Sequence, residues 1–254
     1  RNPGSARVAD SCHIAKDFTQ GFNVAPANVP SMTTVEEAIA DVSDAFFALH
    51  EKADYLVINL MAVNTVTSFR PFETISAVRQ LLRSLVSDAR LQHVRHPKPL
   101  LLKVNRDLGD DWLVRLVRLA HDCALVGGFI CCHLSSRKGD ESRPGALSGK
   151  PILADTVRAV SVVSREARKL QEKSRDGSSP PLVVVAVGGI STAQDVWEVM
   201  SAGASCVQLF TSMIFRGPTI ISEINCELIR MLREHGKRNV REIVGQGLSS
   251  EFVV

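Results

Sequence analysis

The chain has 254 residues, of which 45% are hydrophobic and 22% charged, and its net charge is +3. This is the composition of an ordinary globular protein, and the length suits one (β/α) barrel of about 250 residues or two small domains. The low net charge and the scarcity of aromatic residues argue against nucleic-acid binding, and no apolar run approaches the ~20 residues of a transmembrane segment.

Taken in chain order, the sequence begins with a polar, irregular segment at 1–17, followed by a domain at 18–254. Apolar runs predict six strands, at 21–25, 55–60, 99–104, 128–132, 184–187 and 207–209. Helical patterns follow them at 34–50, 74–89, 111–123, 153–173, from Ser191, and at 217–234. Because strands and helices alternate, the pattern predicts a parallel sheet, and a closed barrel would need two more strands.

Three helix starts have local signals. Thr34 with Glu37 forms a capping box, and Ser191 with Gln194 resembles another. Pro218 suits the first turn of the last helix.

The six cysteines show neither CxxC pairs nor zinc-finger spacing, so no metal site is predicted and a reducing compartment is favoured. A basic cluster at 165–175 contains acidic residues and is interpreted as a solvated helix face. Because the sequence begins at Arg1, we expect a presequence or a longer N-terminal region before it.

Two glycine-containing turns are the clearest functional signal. Gly188 and Gly189 follow four apolar β-formers and precede a helix, which leaves unpaired backbone N–H groups beside a flexible turn. A second polar turn, Phe210-Thr211, follows the next strand. In (β/α) barrels, the loops after strands 7 and 8 commonly bind phosphate. An ordinary turn without a ligand is the alternative, since paired glycines are common in turns.

These residues and their order give the chain a family resemblance. It resembles the dihydroorotate dehydrogenase family, nearest the quinone-linked mitochondrial type, from about Gly21 to Gly245. The most specific match is 184–204. The match continues through 203–211 and 215–218, and two further segments match at 147–151 and 53–59.

The resemblance implies an FMN-binding (β/α)8 barrel that oxidises dihydroorotate to orotate in mitochondrial pyrimidine biosynthesis. Lys103 would face the isoalloxazine ring, where a cation stabilises the anionic reduced flavin; a lysine extending out of a barrel mouth is the alternative. Asn64 and Thr65 would bind substrate. The other implied cofactor contacts are Asn23 and Asn59 near the flavin, Ser148 and Gly149 near the flavin or its chain, and Gly188, Gly189, Phe210 and Thr211 at the phosphate.

Several positions depart from the family pattern. The base position is Ala62, whose methyl group cannot accept a proton, and loss of a general base costs ~10²–10⁴-fold in rate. Cys132 and His133 replace the threonine and asparagine that grip orotate. His133 is either a substitute acid or base or a drifted loop residue.

Further departures concern whole segments. The lid at 66–72 contains Pro71 and two phenylalanines, which predicts a stiffer, more apolar loop. The turn at 25–28 lacks a basic group near the cofactor. The family's first barrel strands, and its helical segment that reaches membrane and quinone, are not recognisable, so a quinone partner is expected only if that segment exists.

Three functions remain open. The favoured one is a catalytically impaired relative, with or without FMN, in a larger mitochondrial assembly whose other subunits complete or cover the open barrel. The second is an active FMN-dependent dehydrogenase acting on dihydroorotate or another small substrate. The third is a nucleotide- or phosphate-binding regulatory module without flavin.

Overall fold

The computed structural model describes residues 4–12, 17–61, 69–92, 97–132, 134–135, 146–173 and 180–248. The chain divides into two compact units, one formed by Arg1–Lys103 with Asp122–Gly127 and the other by Val104–His121 with Gly128–Val254. Each unit combines parallel strands with helices, as the alternating pattern predicted. Among the described residues, no helix is both long and apolar enough to cross a membrane.

The first unit is built on three parallel strands in chain order. β1 pairs with β2, placing Gly21 opposite Tyr55, and β2 pairs with β3, placing Leu56 opposite Leu100. Its strands are β1 (Gly21–Val24), β2 (Tyr55–Asn59) and β3 (Leu100–Val104), and its helices are α1 (Ser5–Ser11), α2 (Val35–His50), α3 (Ile75–Ser87) and α4 (Ala89–Gln92).

The fully buried side chains of β2 and β3 share one face. Leu56, Ile58, Leu100 and Leu102 are fully buried, and each lies two positions from its neighbour along β2 or β3. Helix α2 contacts β1, β2 and α3. The opposite face buries Val57 and Leu101 and carries polar residues near the strand ends.

The second unit also contains three parallel strands. β4 pairs with β5 from Gly128 opposite Val183, and β5 pairs with β6 from Val185 opposite Cys206. Its elements are α5 (Gly109–His121), β4 (Val126–Cys131), α6 (Leu153–Lys173), β5 (Val183–Val187), α7 (Ala193–Ser201), β6 (Cys206–Gln208), α8 (Thr211–Arg216) and α9 (Ile220–Glu234), with short 3-10 helices at Lys150–Ile152, Val240–Glu242 and Gln246–Leu248.

The six predicted strands are confirmed, and two other predictions are wrong. The N-terminal segment expected to be irregular contains α1, which gains its contacts by packing against α2. The last helix does not begin at 217. Gly217, with φ of 77°, ends α8, and its N–H donates to the Met213 carbonyl at 2.8 Å. Pro218 therefore lies two residues before α9 begins at Ile220.

Candidate cofactor-binding site

Three segments of the second unit converge beside the carboxyl ends of β5 and β6. They are the segment before α6, the turn between β5 and α7, and the turn between β6 and α8. A Cβ atom added to Gly149 would lie 3.1 Å from Thr211 Cγ2, and one added to Gly189 would lie 2.6 Å from Leu153 Cα. In (β/α) barrels this edge of the sheet carries the ligand-binding loops.

The β5–α7 turn requires both of its glycines. Gly188 and Gly189 have φ values of 119° and 76°, in the left-handed region. A Cβ on Gly188 would lie 2.0 Å from the Cys132 carbonyl oxygen, and a Cβ on Gly189 would collide with the backbone of Leu153. These glycines therefore let the turn pack closely on the end of β4 and the start of α6. Their contact with a phosphate stays a prediction.

Helix α7 begins with a capping box that differs from the predicted one. Thr192 is the N-cap, and its Oγ1 accepts the Asp195 N–H at 3.1 Å. Asp195 Oδ2 accepts the N–H groups of Ser191 at 2.9 Å and of Thr192 at 3.1 Å. The prediction of Ser191 with Gln194 is wrong by one position, because the Ser191 N–H and hydroxyl also bind this carboxylate. The Thr-x-x-Asp pattern was available as a sequence signal.

Asp195 connects this helix start to the segment before α6. Its side chain is 5% exposed, and its Oδ1 lies 2.5 Å from Lys150 Nζ. Burial by itself would raise the pKa of Asp195, but hydrogen bonds from Lys150 and Ser191 outweigh it, so the pKa lies below its ordinary value. Sequence reasoning missed this pair, because nothing local connects two residues 45 positions apart.

The start of α8 offers hydrogen-bond donors. Phe210 is its N-cap and supplies no side-chain cap, and the first helical bond runs from the Ile214 N–H to the Phe210 carbonyl at 3.0 Å. The N–H groups of Thr211, Ser212 and Met213, the first three residues of the helix, therefore have no acceptor within the helix. The buried Ser212 hydroxyl also has no hydrogen-bond partner among the described residues. An anion such as a phosphate would satisfy these groups.

In the first unit, the strand register collects the predicted flavin-facing residues. Asn23 lies opposite Val57, two positions before Asn59, and Asn59 lies opposite Lys103. Side chains at alternate positions, and at paired positions of neighbouring strands, share a face. Asn23, Asn59 and Lys103 are therefore on one face, opposite the face that carries the fully buried leucines of β2 and β3.

The environments of these three side chains differ. Asn59 is buried, and its Oδ1 accepts the Met61 N–H at 3.1 Å. Lys103 is half-buried, and this burial lowers its pKa. A partly desolvated ammonium interacts strongly with a nearby negative charge. Asn23 is exposed.

Beside Asn59, the first unit has a cavity of about 30 Å³. Phe69, Pro71 and Phe72 line it on one side, and Phe72 is fully buried. At the described end of the predicted lid, Phe72 therefore packs into the core, whereas positions 69–71 are partly exposed. Positions 66–68 of that lid lie outside the described residues.

The residues that bear most directly on chemistry also lie outside the described part: Ala62, Asn64, Thr65 and His133. Cys132 is described and buried, and burial raises the pKa of its thiol well above the ordinary value. A neutral thiol is a poor proton acceptor. Cys132 lines a cavity of about 230 Å³ in the second unit, together with Arg106, Asp107 and Ser135. No cluster of three or more metal-binding side chains occurs in the described ranges.

Parallel strands that alternate with helices, with glycine-containing turns at the strand ends, are typical of the (β/α)-barrel class of protein. The profile of the dihydroorotate dehydrogenase family matches residues 2–232, and the chain belongs to that family. The dihydroorotate dehydrogenase (quinone) of Prochlorococcus marinus is 34% identical over 90% of this chain and 56% of its own length. The enzyme of the same description from Corynebacterium efficiens is 30% identical over 97% of this chain and 62% of its own.

A solved structure shows the same fold. The crystal structure of DHODH from Eimeria tenella in complex with ferulenol has a TM-score of 0.76 and 23% identity, covering 95% of this chain and 66% of that one. The fold class is therefore α/β of the (β/α)8 type, and the described residues contain six strands. The chain spans only 55% to 65% of the length of five such curated relatives.

Proposed function

We propose that this chain forms part of an FMN-dependent dehydrogenase that oxidises dihydroorotate to orotate. The observation that carries the proposal is the convergence of Gly149 on Thr211, at the start of α8, where the N-cap residue makes no side-chain cap among the described residues. The descriptions of the relatives as dihydroorotate dehydrogenases support the same activity.

The residues of the second unit fit the phosphate end of FMN. Gly149 approaches Thr211 closely enough that an added Cβ atom would crowd the Thr211 methyl group, and glycine lets these two backbone segments come together. The amides at the start of α8 and the Ser212 hydroxyl supply donors, and a phosphate supplies acceptors. Gly188 and Gly189 would hold the adjoining turn in place.

The residues of the first unit fit the role of flavin partners. When bound, FMN accepts the hydride that leaves dihydroorotate. The Lys103 ammonium would stabilise negative charge at that stage, and its half-buried position makes this interaction stronger than it would be in water. Asn59 is held by its bond to the Met61 N–H, with its amide N–H groups available to an acceptor.

A second candidate function rests on Ala62. This position carries the catalytic base in the family that the chain resembles, and alanine has no group that accepts a proton. The same site would then bind FMN without oxidising dihydroorotate, and the protein would be a structural subunit of a larger assembly. The names of the relatives favour the dehydrogenase over this candidate.

We also propose that further polypeptide covers the free strand edges. Within the described residues β1 pairs only with β2, and β6 only with β5. Next to β6, large apolar side chains are exposed at Phe210, Ile214 and Phe215. Exposed strand edges and apolar patches mark association surfaces. A mitochondrial location stays a prediction.

The visible absorption spectrum of the purified protein, with any chain that accompanies it, tests the two candidates. A flavin spectrum that dihydroorotate bleaches without oxygen supports the dehydrogenase. A flavin spectrum that dihydroorotate leaves unchanged contradicts the dehydrogenase and supports the structural subunit. Absence of flavin, both as purified and after incubation with FMN, overturns the proposed FMN site.

A further inference from the structure

One carboxylate in the second unit joins the segments that meet at the candidate phosphate site. Asp195 Oδ2 accepts from the backbone of Ser191 and Thr192, just after the Gly188-Gly189 turn. Asp195 Oδ1 accepts from Lys150, the residue that follows Gly149. The two oxygens therefore bind two different segments. One contains the predicted phosphate contacts Gly188 and Gly189, and the other contains Gly149, which is predicted near the flavin or its chain.

A third connection reaches the same turn from α8. Arg216 Nη1 donates to the Ser191 carbonyl oxygen at 2.8 Å, and the guanidinium also pairs with Glu223. The end of α8 is therefore tied to the turn that Asp195 holds.

We infer that Lys150 is a positioning residue for the phosphate group of the flavin: it neutralises the buried Asp195 carboxylate and holds the segment of Gly149 against the start of α7. The inference rests on the proposed function, since it names what sets the affinity of that same site for its ligand. The pair is asymmetric, because the Asp195 side chain is 5% exposed and that of Lys150 is 59% exposed.

Removing Lys150 should affect the candidate site but not the capping of α7. The bonds from Ser191 and Thr192 to Asp195 Oδ2 do not involve Lys150, so the start of α7 stays capped. The carboxylate, however, would lose its counter-charge. An uncompensated negative charge in this partly buried place would repel a phosphate group, and the Gly149 segment would lose its attachment.

A comparison of two flavins detects this effect. FMN carries a phosphate group and riboflavin does not, so an electrostatic and positional defect at the phosphate site weakens FMN binding selectively. General structural damage would weaken the binding of both. The ratio of the two dissociation constants is therefore a readout that loss of stability alone does not move.

The test measures FMN and riboflavin affinities by flavin fluorescence, after removal of bound flavin, for the unmodified protein and three variants. Lys150→Met removes the charge, Lys150→Arg retains it, and Lys169→Met is a matched control at an exposed lysine of α6. We expect Lys150→Met to bind FMN about tenfold more weakly, with riboflavin affinity changed less than about twofold. Lys150→Arg should restore most of the FMN affinity, and Lys169→Met should leave both affinities unchanged.

Two results would overturn the inference while leaving the proposed function intact: unchanged FMN affinity in Lys150→Met, or equal weakening of FMN and riboflavin. Failure of Lys150→Arg to recover FMN affinity would also count against it. If the unmodified protein binds neither flavin, the proposed function itself fails and the inference falls with it. Thermal unfolding of each variant verifies that the compared proteins are folded.

Discussion

Helices α2 and α7 both begin with a threonine N-cap and an acidic residue three positions later. At α2, Glu37 Oε2 accepts the N–H groups of Thr33 and Thr34 at 2.9 and 3.1 Å, on an exposed surface. At α7, Asp195 makes the equivalent bonds, but it is buried and also binds Lys150. The same local pattern therefore only caps the start of a helix in one region, and in the other it also joins distant segments of a candidate site. What differs is burial and a long-range partner.

The largest effect on stability and FMN binding is expected from substituting the acidic residue at the start of each helix. Asp195→Ala should lower the free energy of unfolding by roughly 2 kcal/mol and abolish FMN binding, because it leaves the Ser191 and Thr192 amides without their acceptor. Glu37→Ala, the matched control, should have a smaller effect on unfolding and none on FMN binding. Urea unfolding and flavin fluorescence measure the two quantities. Equal responses of both variants would erase the distinction between the two helix starts.

The second effect concerns glycine at the candidate site. Gly149 and Gly236 both have left-handed backbones, with φ of 75° and 65°. A Cβ at Gly149 would meet Thr211 Cγ2 at 3.1 Å, whereas a Cβ at Gly236 would meet nothing within 4 Å. Alanine at either position should cost about 1–2 kcal/mol of backbone strain.

Only the Gly149→Ala variant should also lose FMN affinity, by about tenfold, because its methyl group would occupy the narrow space between residues 149 and 211. Titration with FMN distinguishes the two variants. Undiminished FMN affinity in Gly149→Ala would contradict a phosphate site at this position.

A smaller effect is expected from the two threonine caps. Thr34→Ala and Thr192→Ala each remove one acceptor for the N3 amide, at 3.2 Å in α2 and 3.1 Å in α7. Each should cost about 1 kcal/mol of stability, and the two costs should be similar. Chemical denaturation measures both, and a much larger loss at Thr192 would show that the cap itself, and not only the Asp195–Lys150 pair, supports the site.

The smallest effect is the contribution of each carboxylate to acid stability. Hydrogen bonds from the Thr33 and Thr34 N–H groups lower the pKa of Glu37, and at Asp195 the hydrogen bonds from Lys150 and Ser191 overcome burial to lower the pKa. A depressed folded-state pKa stabilises the fold above the unfolded value of about 4, and this stability is lost as the pH falls through the folded value.

Asp195→Asn should therefore flatten the decline of unfolding free energy between about pH 5 and pH 2 more than Glu37→Gln does. Urea unfolding at several pH values provides the comparison. If Asp195→Asn keeps the slope of the unmodified protein, the Asp195 carboxylate does not contribute to acid stability.

Much of the fold was predictable because its signals are local. Runs such as Val183–Val187 are apolar and β-branched, and they become strands. The Thr34–Glu37 capping box was predicted and is present, since both of its bonds join residues three positions apart. The presence of Ala62 at the position of a family base is likewise a fact of the sequence alone.

Tertiary structure decided what local patterns left ambiguous. Ser191 and Thr192 can each cap a helix, and packing around Asp195 selected Thr192. Helix α8 was not predicted, because six residues carry too little periodicity and it ends through the backbone conformation of Gly217.

The candidate site itself divides in the same way. The sequence determined its residue types and the turns that carry them, because glycine conformations and strand propensities act over a few residues. The shared face of Asn59 and Lys103 required the strand register, and the pairing of Lys150 with Asp195 required packing between segments 45 residues apart. Such contacts depend on where the whole chain brings its segments together, which no local pattern specifies.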